Sequence, residues 1–196
     1  ALTVTAQNIT LGSSNTSGGI PVTTPGSGTV TLNAANVTFG GGDFAFDAFA
    51  STSINATAAV TATGSAAVGA AGNLTISTPQ ISATGPVDLT LAAAGDLVLT
   101  SNGPGVAGSP SPAAGASVEF IGSNVLLDTR VRSPSGQVAV TATNGNVSLA
   151  LNVSAPVGSI VVAMFNFCPC LACSLAAPAN ACLPTIPPTA CGGSNQ

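Results

Sequence analysis

The chain has no histidine, lysine, tyrosine or tryptophan. Each absence closes a route to chemistry. Without histidine, serine and cysteine nucleophiles lose their usual general base, and imidazole-ligated metals are excluded. Without lysine there is no Schiff base and no phosphate-loop cation. Positive charge is confined to Arg130 and Arg132, against six acids, Asp43, Asp47, Asp88, Asp96, Glu119 and Asp128, for a net charge of −4. Two cations do not supply the basic footprint of a nucleic-acid binder. Charged residues are only 4% of the chain, where about a quarter is usual. Disorder is a poor fit as well, because 45% of the residues are hydrophobic and the charge is low. Cysteine is missing before Cys168, and no useful window has helical periodicity. These gaps predict a non-enzymatic, cofactor-free protein of the extracellular space or cell surface, with a hydroxyl- and amide-rich exterior.

What is present is repetition. Short alternating runs recur in pairs, such as "LTVT" with "NITL", "NLTI" with "QISA", and "QVAV" with "NVSL". Each puts apolar residues on one face and Thr, Ser or Asn on the other, the period of a half-buried strand. Gly, Asn and Pro clusters separate the runs as turns. Taking the first member of each pair near Thr3, Val30, Ile54, Leu74, Leu89, Val118, Val138 and Ile160 gives steps of 27, 24, 20, 15, 29, 20 and 22 residues. A phrase combining small and aliphatic residues with an Asn or Asp also recurs: "AQNITL", "AANVTF", "AGNLTI", "AGDLVL", "GSNVLL" and "NGNVSL". A β-sandwich has no reason to repeat a phrase, whereas a coiled stack repeats its turn in every rung. The expectation is an all-β protein: a β-solenoid body over residues 1–163, of about seven to eight rungs, followed by a Cys/Pro-rich tail over residues 164–196.

These phrases resemble the repeats of filamentous haemagglutinin-like exoproteins, the adhesins of bacterial two-partner secretion. The resemblance covers about residues 1–163 and is one of texture: short β runs, Asn or Asp before an aliphatic strand, and Gly-Asn turns. It implies a right-handed parallel β-helix and an extracellular setting. The asparagine-proline motifs of that family's secretion domain are missing, so the secretion signal is not carried over.

Segments 12–28 and 101–115 are rich in Gly, Ser, Thr and Pro and read as surface loops. Phe39, Phe44, Phe46 and Phe49 crowd into "FGGGDFAFDAFA", either as a cover over the core or as an apolar contact patch. Glu119, Asp128, Arg130 and Arg132 are the nearest thing to a catalytic cluster. Alternation in "LLDTRVR" places Asp128, Arg130 and Arg132 on one strand face, which reads as a surface ion-pair cluster rather than an active site. Before the tail no residue set suggests a metal, and the spacing of Asp43 and Asp47 fits no calcium loop. T-x-T pairs at Thr3/Thr5, Thr29/Thr31, Thr61/Thr63 and Thr141/Thr143 fall on different strands of their rungs, so they form no single flat array.

Cys168, Cys170, Cys173, Cys182 and Cys191 occupy the tail as C-P-C-x2-C-x8-C-x8-C. CxC and CxxC spacings also suit thiolate metal sites. An exported, proline-rich tail favours disulfide staples, and an odd number leaves one cysteine for another chain or as a free thiol. Ile160–Ala179 has the length and apolarity of a membrane helix, but Pro169 and Pro178 argue against a span. Ala1 leads straight into a strand pattern, as in a processed form or a fragment. The function expected is a structural one: a subunit of a filament or surface fibre built by head-to-tail stacking of solenoids, with disulfide locking. The alternatives are a C-terminal piece of a large haemagglutinin-like adhesin and a carbohydrate-binding or -cleaving β-helix. Expected partners are further copies of the chain, and host or neighbouring-cell surfaces or glycans, with no nucleic acid and no membrane span.

Overall fold

A computed structural model describes residues 1–15, 19–21, 23–104, 115–133, 135–150, 153–154 and 159–164, with side chains up to residue 150. All regular structure among them is strand. The chain divides into two units, Ala1–Asn166 and Phe167–Gln196, and the first is a parallel β-helix. Every recorded strand pairing is parallel, and each strand pairs with the strand one coil earlier or later in the stack, except that β7 and β12 pair across a coil.

The coils have three sides. On the first side β1 (Leu2–Thr5), the start of β3 (Gly28–Phe46), the start of β4 (Phe49–Ala62), β6 (Asn73–Ser77), β9 (Leu97–Thr100), β11 (Val125–Asp128) and β14 (Val147–Leu149) stack in that order. On the second side the order is β2 (Asn8–Gly12), the middle of β3, the end of β4, β7 (Gln80–Ala83), β12 (Arg130–Arg132) and β15 (Val153–Ser154). The third side runs from the end of β3 through β5 (Ala66–Ala70), β8 (Asp88–Ala93), β10 (Ser117–Gly122) and β13 (Gln137–Ala142) to β16 (Ser159–Met164). Seven coils result. Their period is read from the stacked partners Leu2, Val30, Thr52, Leu74, Leu97, Val125 and Val147, which lie 28, 22, 22, 23, 28 and 22 residues apart.

That register corrects the sequence-derived one. Thr3, Val30, Ile54 and Leu74 lie on the first side, but Leu89, Val118, Val138 and Ile160 lie on the third. The anomalous step of 15 between Leu74 and Leu89 is thus a passage within one coil. Alternation looks the same on all three sides, so it carries no label for the side. The two 28-residue coils are the first and the fifth, and they contain the two Gly/Ser/Pro-rich segments.

Alternation sends Val30, Leu32, Ile54, Leu74, Ile76, Leu97, Leu99, Val125 and Leu127 inward from the first side. They meet Val37, Val60, Ile81 and Val131 from the second and Val68, Leu91, Phe120, Val138 and Val140 from the third. Burying a side chain of this kind is worth about 1.5–3 kcal/mol, and stacking like on like leaves one continuous core. Buried hydroxyls sit at or beside the corners and turn to carbonyls: Thr129 Oγ1 donates to the Thr78 carbonyl (2.6 Å) and Ser133 Oγ to that of Ala116 (2.7 Å).

In coil 5 the second side is skipped. The chain leaves the first side after Thr100 and rejoins the helix at β10, so β7 of coil 4 pairs directly with β12 of coil 6, Ile81 beside Val131. Asn102 ties down the departure, its Nδ2 donating to the carbonyls of Ala56 (3.1 Å) and Ser77 (3.2 Å). In coil 1 the segment between β2 and β3 replaces the third strand. Its Thr24 N–H donates to Asp47 Oδ1 (2.6 Å), and Asp43 N–H donates to the Asn15 carbonyl (2.6 Å). It also lies over β5, which is why all five β5 residues are buried. Gly69 makes room there, since a Cβ would come within 2.9 Å of the Pro21 carbonyl oxygen. Gly42, at φ 81°, turns the corner of coil 2 against the backbone of Ser13.

Candidate functional site: the coil ends and the ladder faces

The ends of the stack are its least satisfied part. Among the described residues, β1 and β2 pair with β3 alone, and β14, β15 and β16 pair with β11, β12 and β13 alone. A one-sided strand presents a row of N–H and C=O groups able to accept another strand. The side chains repeat the theme. Leu2 and Val4 sit in register with Val30 and Leu32, which are 3% and 5% exposed, yet they are themselves 51% and 39% exposed. At the other end Leu149, in register with the fully buried Leu127, is 37% exposed. The first-side core column therefore runs out into the open at both ends.

Along the corners, amide ladders link coil to coil. Asp96 N–H donates to Asn73 Oδ1 (2.9 Å), Asn124 Nδ2 to Asp96 Oδ1 (2.7 Å), and Asn146 N–H to Asn124 Oδ1 (3.0 Å). Asn36 Nδ2 donates to Asn8 Oδ1 (3.0 Å) and Asn55 Nδ2 to Asn33 Oδ1 (2.8 Å). The recurring Asn/Asp phrases thus divide between two corners: Asn8 and Asn36 begin the second side, while Asn73, Asp96, Asn124 and Asn146 stand at the start of the first. A groove of about 220 Å³ runs beside the latter ladder, lined by Val98, Leu126 and Ser148 among others. Ordinary small-molecule sites are larger, roughly 300–1,000 Å³.

Phe39 is fully buried; Phe44, Phe46 and Phe49 are half-buried and pack against the core. The Phe39 and Phe44 ring centroids are 6.0 Å apart, and Phe44 meets Phe46 edge-on at 6.1 Å. Phe44 and Phe46 lie on the third side, where coil 1 has no strand among the described residues, whereas Phe39 ends the second side of coil 2 and Phe49 opens the first side of coil 3. Asp128 does not share a face with Arg130 and Arg132 as alternation suggested. Fully buried Thr129 marks a corner between Asp128, which ends β11 on the first side, and Arg130 and Arg132 on the second. Glu119 lies on the third side in coil 5, where its Oε2 accepts from Thr90 Oγ1 (3.5 Å). No group of three or more potential metal ligands gathers among the described residues. Thr3 and Thr31 pair on the first side, Thr61 lies on the second and Thr141 on the third. Ile160–Met164 belong to β16, and no helix among the described residues is long and apolar enough to cross a membrane. The five cysteines, Cys168 to Cys191, lie outside the described residues.

The fold defines a class, the three-sided parallel β-helix. Beyond that class, the chain matches no protein-family model, no curated protein and no solved structure. The likeness to haemagglutinin-like repeats rests on sequence texture.

Proposed function

We propose that the protein is an extracellular structural protein, a subunit of a filament or surface fibre formed by head-to-tail stacking of β-helices and locked by tail disulfides. The observation that carries this reading is the exposed aliphatic column at both ends, Leu2 and Val4 on coil 1 and Leu149 on coil 7. Because all strands are parallel, the last coil of one copy and the first coil of the next are related by translation along the axis. Such a contact is heterologous and does not close, so it propagates. Strand addition would satisfy both rows of edge groups, and covering the exposed aliphatics contributes about 1 kcal/mol or more at each residue. The hydroxyl- and amide-rich exterior, with six acids and two arginines in 196 residues, offers little charge repulsion to stacking or to lateral bundling.

The open edges also suit a second reading, in which the coils belong to a longer haemagglutinin-like adhesin and continue in one chain. Negative-stain electron microscopy of the purified protein, with non-reducing electrophoresis of the same sample, separates the two. Uniform filaments and a covalent ladder that collapses with reductant are the expected result. Isolated short rods at high concentration would overturn the filament reading and favour the adhesin.

A further inference from the structure

The geometry points to a definite junction between copies: β14 of one copy lies on β1 of a second copy with Val147 beside Leu2, Ser148 beside Thr3 and Leu149 beside Val4, and β15 lies on β2 with position 153 beside Ile9. This inference rests on the filament reading and specifies how the copies meet. Three observations carry it. First, the inward-facing column of the first side ends in Leu2 and Val4 at one end and in Val147 and Leu149 at the other. Only this register, or a two-residue slip from it, sets inward aliphatics beside inward aliphatics; a one-residue slip sets Val147 and Leu149 beside the outward-facing Thr3 and Thr5. Second, the register must hold on two sides at once. Six positions separate Val147 from Val153 and seven separate Leu2 from Ile9. The corner absorbs one extra residue, as it does where the ladder of coils 2 and 3 shifts register between Ala34 and Asn36. A two-residue slip that sets Val147 beside Val4 asks no more of the corner, but it puts Gly145 beside Leu2 and Leu149 beside Ala6, so fewer of the exposed aliphatics meet another aliphatic.

Third, among the described residues coil 1 has no strand on its third side, and the half-buried Phe44 and Phe46 of coil 2 pack against the core there. The junction is therefore paired on two sides, and β16 meets no described strand of coil 1. Stacked in this way, the outward positions Thr3 and Ser148 continue one row across the boundary. Coil 7 then stands in the same relation to the next copy's coil 1 as coil 1 does to coil 2, about 4.8 Å away.

The test is site-specific cross-linking in the full chain. Thr3 and Ser148 are exposed, and six coil steps of about 4.8 Å put them roughly 29 Å apart within one copy. A link between positions 3 and 148 made by a short bis-thiosulfonate reagent is therefore between copies. The double variant Thr3→Cys/Ser148→Cys is compared with the slipped pair Thr5→Cys/Ser148→Cys, with links mapped by peptide mass spectrometry to separate them from tail cysteines. Circular dichroism confirms that both variants fold as the parent does. The expected result is filaments in which the 3–148 link exceeds the 5–148 link at least ten-fold. Filaments with equal links, or with 5–148 dominant, would overturn the register and leave the filament reading standing. Folded protein with neither filaments nor links would overturn both.

Discussion

Single residues hold the coils in register mainly through amides. Asn124 is the clearest case, because it donates to Asp96 and accepts from the Asn146 N–H in the same ladder. Replacing it with Ala removes both bonds and leaves two polar partners to find water at an exposed corner. The expected cost is about 1–2 kcal/mol, measured as a lower urea midpoint with an unchanged slope. A loss under about 0.3 kcal/mol would mean that the ladder is decorative. The recurring Asn and Asp were visible in the sequence as a repeated phrase. Their assignment to two different corners was not, since the same short phrase precedes strands on different sides. Asn102 gave no signal of its own beyond its place in a Gly/Pro-rich run, and only the folded chain brings it to the carbonyls of Ala56 and Ser77.

Among the elements, the informative one is the strand that is missing. Coil 5 skips the second side, so Ser82 in β7 and Arg132 in β12 become direct partners across a gap of fifty residues. Neighbouring parallel strands lie about 4.8 Å apart, whereas an intervening coil would double that distance. The variant Ser82→Cys/Arg132→Cys is therefore expected to form an intrachain disulfide, because in-register neighbours fall within the usual Cα separation. Recovery of free thiols at both positions after mild oxidation would place a coil between them. The segment after Ser101 could be read as a loop from its composition. That it interrupts one side of the helix depends on where β10 rejoins the stack, which local sequence does not encode. The same holds for the segment after β2, whose contact with β5 explains an otherwise puzzling stretch of five buried residues.

At the scale of the molecule, three of the five exposed large hydrophobics among the described residues, Leu2, Val4 and Leu149, sit at the ends of one core column, the others being Ile20 and Leu126. The double variant Leu2→Asp/Val4→Asp places two charges where a second copy's coil would have to desolvate them, at a cost of several kcal/mol. Within the single copy these positions are already exposed, so the thermal midpoint of the dissociated protein should move by less than about 3 °C. On the proposed filament reading, assembly mass measured by sedimentation should fall at least ten-fold. Unchanged assembly would exclude the first coil from the contact and sink end-to-end stacking.

The sequence by itself determined the fold class, because alternation, turn residues and a recurring phrase are local and repeat at a pitch near 22 residues. It also determined where the long excursions lie, since Gly, Pro and Ser interrupt the pattern there. It placed the aromatic cluster and the charged residues but not their surroundings: the phenylalanines close the core, and a corner at Thr129 splits Asp128 from the arginines. Only the tertiary structure decided which side of the coil each strand occupies, which coil lacks a strand, and which aliphatics are left uncovered. Those facts depend on pairing between residues twenty to fifty positions apart. A two-residue alternation, identical on every side, carries no record of that pairing.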